Sequence, residues 1–329
     1  MTHIPPDTRR RLGALLLGAH LRHLRECQNL TSADVAERAP GPHRVSAGDV
    51  SDVEAGRTPV PAFAGLGRLG AVLGACGGGR IALADYHQVL AACQREDLGA
   101  ALVDDALAWP HRYQLLEQEA ARVLLAATAT VPGPLRTEQT WAALSMEGDY
   151  GVPVPRAREF SAPSAVPGAG CELCVMYRAD PLAQPGTRGA WQRAVAEVRA
   201  AAFDKRIRRG GATEAVVLLD EGVLYRRGGS ARIHAAQMGH LADLTRHHRL
   251  QVRVVPFNAG ALLRYEMAEL DLGDGRTVTA SLGDAGVSYR DGPDPSLRLA
   301  MERSLGPDIS GELLDKAAAG TLRPPRRGW

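Results

Sequence analysis

With 329 residues, 45% of them hydrophobic and 23% charged, the chain can bury two cores of ordinary size, and its composition excludes a disordered or fibrous polypeptide. Its 39 Lys and Arg against 37 Asp and Glu leave a net charge of +2, which confines any nucleic-acid contact to a local patch. No run of about 18 apolar residues occurs, which excludes a membrane-spanning helix, and the odd number of cysteines, five, gives no disulfide framework.

Lys205 and Lys316 are the only lysines, so arginine carries nearly all the positive charge, the usage expected of a high-GC genome. Arg9 to Arg11 precede an apolar run, Leu12 to Leu21, that Gly13, Gly18 and His20 interrupt, so the start of the chain does not read as an export signal. The expected location is the cytoplasm. From Asp7 to Asn29, Leu17, Leu21 and Leu24 recur at helical spacing. Thr31 then caps a second helix, Ser32 to Ala39, with Asp34 placed to complete a capping box, and Pro40-Gly41-Pro42 stops it. The signal repeats at Ser46 and Asp49, which open a third helix burying Val50 and Val53, with Gly56, Pro59 and Pro61 beyond its end. Ala62 to Ala75 reads as a fourth helix.

Three short helices so spaced are the unit that lays its last helix in a DNA major groove. Leu17 to Arg25, Leu30-Thr31 with Val35-Ala36-Glu37-Arg38, and Val45-Ser46 through Val53-Glu54-Ala55-Gly56-Arg57 resemble the XRE-type, lambda-repressor-like helix-turn-helix of bacterial regulators. The resemblance implies double-stranded DNA as partner and Thr31, Arg44, Ser46, Ala47, Asp49, Ser51, Asp52 and Arg57 as the DNA-facing residues. Two departures stand out: an insertion around Pro40 to Arg44, which would tilt the third helix, and carboxylates at Asp49 and Asp52 that repel phosphates. Phosphate contacts are therefore expected from Arg44, Arg57, Thr31 and the first-helix arginines.

Further along, Asp85 to Ala108 reads as a helical region broken at Trp109-Pro110, Leu115 to Thr128 as a helix, and Val131 to Gln139 as a turn opening a helix. Proline-rich residues 151–170 read as a loop, Trp191 to Arg209 as an amphipathic helix, Ala215 to Asp220 as a strand, His234 to His248 as a helix, and Val252 to Phe257 as a buried strand. Asp274-Gly275, between Glu266 to Leu272 and Arg276 to Leu282, signals a hairpin. The regular alternation of a doubly wound fold is missing, which favours α+β. Val131 to Thr137, Lys205-Arg206-Ile207 leading into Val217 to Glu221, and Val252 to Gly260 resemble the uncharacterised C-terminal domain that follows XRE modules in actinobacterial, antitoxin-like regulators. That resemblance implies a small partner protein.

Other motifs have ordinary readings. Gly65-x-Gly67-x-x-Gly70 has dinucleotide-binding spacing but lacks a preceding strand, so close helix packing is expected and no cofactor. Cys171-x-x-Cys174 has no second ligand pair at zinc-finger spacing, and His240 and His247 stand seven apart rather than three or four, so no metal is expected. Lys205 to Arg209 and the tail Arg323 to Arg327 read as solvated charge or as contacts to phosphates or an acidic partner. The absence of G-x-S-x-G, H-E-x-x-H and Walker sequences speaks against an enzyme.

The expected architecture is thus an all-α helix-turn-helix domain (8–76), a helical connector (77–110), a larger α+β sensing or interaction domain (111–318, with 147–190 an insertion) and a basic tail (319–329). The leading function is a DNA-binding transcriptional regulator that responds to a small-molecule effector or partner protein, with homodimerisation suiting two half-sites. An antitoxin-like interaction module with a degenerate helix-turn-helix, and an enzyme using the insertion as an active-site loop, are the alternatives.

Overall fold

The computed structural model describes residues 6–26, 28–39, 45–58, 79–94, 101–105, 109–148, 200, 203, 206–207, 214–247, 250–261, 263, 266–273, 275–283 and 286–323. Two compact units emerge. The described residues of Met1–Glu119 and Gly283–Asp291 form the first, and those of Ala120–Ala157, Pro185–Leu282 and Gly292–Trp329 the second. No described helix is long and apolar enough to cross a membrane.

The first unit is built on α1 (Pro6–Glu26), followed by α2 (Ser32–Arg38), α3 (Ala47–Glu54), α4 (Gly79–Gln94), β1 (Leu102–Asp104), α5 (Trp109–Glu119) and the late strand β7 (Gly286–Asp291). A helix apolar around most of its circumference belongs at the centre of its unit. Accordingly α1 buries Leu12, Ala14 to Leu17, Ala19 and Leu21, and it packs against α3, α4 and α5. Gly18 makes the α3 contact possible: a Cβ there would stand 2.3 Å from the Val53 carbonyl oxygen. Gly56 ends the helix-turn-helix in the left-handed region (φ +64°), with its would-be Cβ 2.8 Å from Leu15 Cα. β1 pairs antiparallel with β7, with Leu102 opposite Tyr289 and Asp104 opposite Val287. Beside that pair Arg112 and Asp104, both wholly buried, form a two-pronged ion pair with Nε and Nη2 each 2.7 Å from a carboxylate oxygen.

In the second unit the strands run in the order β6 (Thr277–Gly283), β5 (Glu266–Leu272), β2 (Ala120–Ala127), β3 (Glu214–Asp220), β4 (Leu250–Val255). β2, β3 and β4 are parallel, whereas β5 and β6 are antiparallel to their neighbours. The central strands are unbroken apolar runs, Val123 to Ala127 and Ala215 to Leu219, all buried, as parallel strands covered on both faces require. Between β2 and β3 lies α6 (Glu138–Gly148), and α7 (Ala231–His247) makes the crossover from β3 to β4. α8 (Pro295–Arg303) and α9 (Pro307–Ala318) pack against β4, and α9 also packs against α7. Asp294 caps α8 by accepting from Ser296 N and Leu297 N. Ser310 Oγ accepts from Val254 N at 3.0 Å and Leu305 N donates to Val254 O at 2.8 Å, so the backbone of β4 does not stand open as a pairing edge.

These elements show the expected fold class: an N-terminal helix-turn-helix region, then an α+β region. Two element assignments are corrected. Leu115 to Thr128 is not one helix, because α5 ends at Glu119 and Ala120–Ala127 is the strand β2. An apolar run buried on both faces carries no period to separate strand from helix. The connector is not wholly helical either, since Leu102–Asp104 is a strand fixed by a partner nearly 190 residues later, at Val287 to Tyr289. Pro110 opens α5 rather than merely breaking a helix, the position at which a missing N–H costs nothing. The fourth helix expected over Ala62 to Ala75, the loop 151–170 and most of Trp191 to Arg209 lie outside the described residues, although Ala200, Phe203, Arg206 and Ile207 are helical.

Val131 to Thr137 is tied to α7 by one side chain. Gln237, 2% exposed, donates from Nε2 to Leu135 O at 2.9 Å and accepts at Oε1 from Thr137 N at 2.8 Å. Gln237→Leu strands both backbone groups, and a loss of about 2 kcal/mol is expected on that count. Urea unfolding measures the loss, and faster exchange of the Thr137 amide locates it. An unchanged midpoint would show that the loop is held by something else.

Candidate nucleic-acid interface

The helix-turn-helix is shaped first by its caps. Thr31 (φ −82°, ψ 163°) receives Asp34 N on its Oγ1 at 3.1 Å, while Asp34 Oδ2 accepts from Thr31 N at 2.7 Å and from Thr31 Oγ1 at 2.6 Å. Those bonds from the Thr31 side chain and backbone hold the Asp34 carboxyl below the usual carboxylate range. Ser46 and Asp49 repeat the arrangement at α3: Asp49 N reaches Ser46 Oγ at 3.0 Å, and Asp49 Oδ2 accepts from Ser46 N and Oγ, both at 2.9 Å. Asp49 is therefore a cap that meets the partial positive charge of the helix start.

The seat of α3 is set by a buried carboxylate. Glu54, 5% exposed, accepts from Arg25 Nε on Oε1 at 2.6 Å and from Arg25 Nη2 on Oε2 at 2.8 Å. Arg25 Nη1 also donates to Leu30 O at 2.7 Å, and Arg22 Nη2 donates to Glu54 O at 3.0 Å. One guanidinium thus joins α1, the turn before α2 and the end of α3. The insertion at Pro40 to Arg44 lies outside the described residues, and α3 packs against both α1 and α2.

With Val50 and Glu54 turned inward, α3 exposes Ser46, Ala47, Gly48, Asp49, Ser51 and Asp52. Asp52 does not project as a lone charge: Arg57 donates from Nε to Asp52 Oδ1 at 2.8 Å, and its Nη2 stands 2.8 Å from the same oxygen. Of the eight residues singled out by sequence, seven are thereby gathered around α2 and α3, while Arg44 lies outside the described residues.

The first-helix arginines, expected at phosphates, differ in their placement. Arg9 is buried, Arg22 is 2.6 Å from Glu119, and Arg25 is the clamp on Glu54; Arg11 is exposed. Sequence reasoning missed the Arg25–Glu54 clamp because its partners stand 29 residues apart with no local signature. The Asp52–Arg57 pair was missed because the turn at Gly56 brings Arg57 back onto α3.

Elsewhere the chemistry is sparse. Among the described residues no group of three or more His, Cys, Asp or Glu is placed to hold a metal. Cys93 is buried, and burial together with the nearby Asp104 charge pushes its thiol up to about 12, which keeps it protonated and unreactive. Cys171, Cys174 and the glycines at 65, 67 and 70 lie outside the described residues. In the second unit, the loops following β2, β3 and β4 leave the same end of the three parallel strands and are bonded together there. Arg226 Nη1 donates to Thr128 O at 2.5 Å, Phe257 N donates to Glu221 Oε2 at 2.9 Å, and the Tyr225 and Phe257 rings stack with centroids 6.2 Å apart. A shallow pocket beside them is lined by Thr130, Val131, Val223, His234, Gln237 and Met238, and His234 Nε2 bonds to Leu224 O at 2.9 Å.

Comparison with family models matches residues 16–84 to a helix-turn-helix domain and residues 177–301 to a domain of unknown function (DUF5753). No curated protein and no solved structure matches the chain.

Proposed function

We propose that this protein is a cytoplasmic, DNA-binding transcriptional regulator whose second unit binds an effector or partner and so shifts the DNA-competent population. The observation that carries the reading is the exposed face of α3: a capped helix, clamped on its inner side by Arg25 and Glu54, offers Ala47, Gly48, Ser51 and Asp52 outward within the segment matching a helix-turn-helix domain. Such a helix fits the major groove, and two copies would meet half-sites one DNA turn apart. In the second unit the loops after β2, β3 and β4 are the place for an effector, since ligands of open α/β sheets gather outside the carboxyl ends of parallel strands. This unit acts by binding rather than catalysis, and differential affinity for the DNA-competent form couples it to the first.

The test is binding of the full chain to its own upstream DNA and to a scrambled duplex, by fluorescence anisotropy across a salt series. The native duplex is expected to bind on the order of 10³-fold more tightly than the scrambled one, with affinity falling steeply as salt rises. Arg57→Ala should weaken both duplexes. Equal binding of the two duplexes at low salt would overturn the reading. It would favour an antitoxin-like interaction module on a helix-turn-helix scaffold, the alternative suggested by the small and acidic residues on α3.

A further inference from the structure

We infer that Asp52 and Arg57 act as one unit that reads a cytosine–guanine base pair, an inference that rests on the DNA-binding reading above. Both side chains are exposed, 53% and 61%, and both bonds of the pair fall on Asp52 Oδ1. Oδ2 is left without a partner among the described residues, as are the Nη1 hydrogens of Arg57. The pair therefore offers one free acceptor beside a fork of free donors.

A base pair that answers an acceptor with donors on one side of it must present a donor at one end and acceptors beside it. In the major groove only the cytosine–guanine pair does so: cytosine N4 donates, and guanine O6 and N7 follow as acceptors. The adenine–thymine pair has its donor between two acceptors and adds a methyl group, against which a carboxylate gains nothing. Charge leads to the same place. An unpaired carboxylate is repelled by the phosphates on both sides of the groove, whereas one held by Arg57 enters as a neutral pair. Among the described residues of the exposed face, Ser46 and Asp49 are bonded to each other in the helix cap, Ala47 and Gly48 have no polar side-chain atoms, and Ser51 tolerates either donor or acceptor bases, which leaves Asp52 for this role. Gly48 supports close approach. A Cβ there would meet nothing nearer than Ser46 Oγ at 3.5 Å, so packing within the protein does not call for glycine, and glycine in an exposed helix costs about 1 kcal/mol relative to alanine. A bare helix surface next to Asp52 lets the backbone come nearer the base edges.

The experiment is selection from a randomised duplex pool by the full chain and by its Asp52→Asn, Asp52→Ala and Arg57→Ala variants, with thermal unfolding as a check that these exposed substitutions leave the fold intact. The wild type should enrich cytosine–guanine at one position per half-site, by roughly tenfold or more over other pairs. Asp52→Asn should move that position alone towards adenine, which the amide reads through N6 and N7, and Asp52→Ala should flatten it while the remaining positions stay as they were. Arg57→Ala should flatten the same position and weaken every duplex. The inference is overturned if Asp52→Ala keeps the cytosine–guanine preference, or if it tightens all duplexes alike, which would make Asp52 only a repelling charge. If the wild type enriches no sequence, the DNA-binding reading falls with it, an outcome separable from the others because no position then carries any preference.

Discussion

Arg112→Met is expected to destabilise the first unit by about 3–5 kcal/mol, the largest effect of any single change considered for this chain. Asp104 and Arg112 are both 0% exposed, and their two-pronged pair is closed by bonds of 2.7 Å. Removing the guanidinium takes both of these bonds and their charge away from a carboxylate that stays out of water, and the total stability of a domain is only about 5–15 kcal/mol. Replacing both partners, Asp104→Leu with Arg112→Met, should recover most of the loss, because two apolar groups of similar size carry no desolvation penalty. Calorimetry of the full chain reads this as a fall in the midpoint of one transition that the double variant reverses. A single variant as stable as the wild type would show that the pair contributes little.

The second large effect is expected at Glu54. Glu54→Ala removes the carboxylate that takes two bonds from Arg25 and leaves a guanidinium whose side chain is only 13% exposed. A loss of about 3 kcal/mol follows, at the low end for a broken buried pair since Arg25 retains its bond to the Leu30 carbonyl. Glu54→Gln keeps a hydrogen-bond acceptor but no charge, and should fall between the wild type and alanine. Because Glu54 holds α3 against α1, DNA affinity should drop in the same order as stability. Should affinity fall while the unfolding midpoint does not, Glu54 would be acting on DNA directly and the clamp would not explain it.

What could be read from the sequence was local. Thr31 with Asp34 and Ser46 with Asp49 each complete their capping box within three residues, so those helix starts were visible in the chain itself. The hairpin near Gly275 was legible for the same reason, its φ of +85° being one that glycine adopts freely. What escaped was set by distant partners. β2 is paired along both edges, to residues 214–219 and 267–272, and Val123 to Ala127 are all buried, so the strand shows no alternation. β1, only three residues long, exists because β7 pairs with it. The same holds at the interface: the acidic character of α3 was plain from Asp49 and Asp52, but not that one carboxylate caps the helix and the other is held by Arg57.

The pairing of β1 with β7 also bears on the order in which this chain becomes a protein. A ribosome releases α1 to α5 long before it reaches Gly286, so the nascent helix-turn-helix unit must wait, one strand short, while nearly all of the second unit is made. Strand completion thus falls near the end of synthesis. A fragment ending with the helix-turn-helix match at residue 84 would lack not only β7 but also the Asp104–Arg112 pair, and a chain that stopped prematurely would carry an unfinished helix-turn-helix unit. Such a connection makes the first unit a check on the integrity of its own polypeptide.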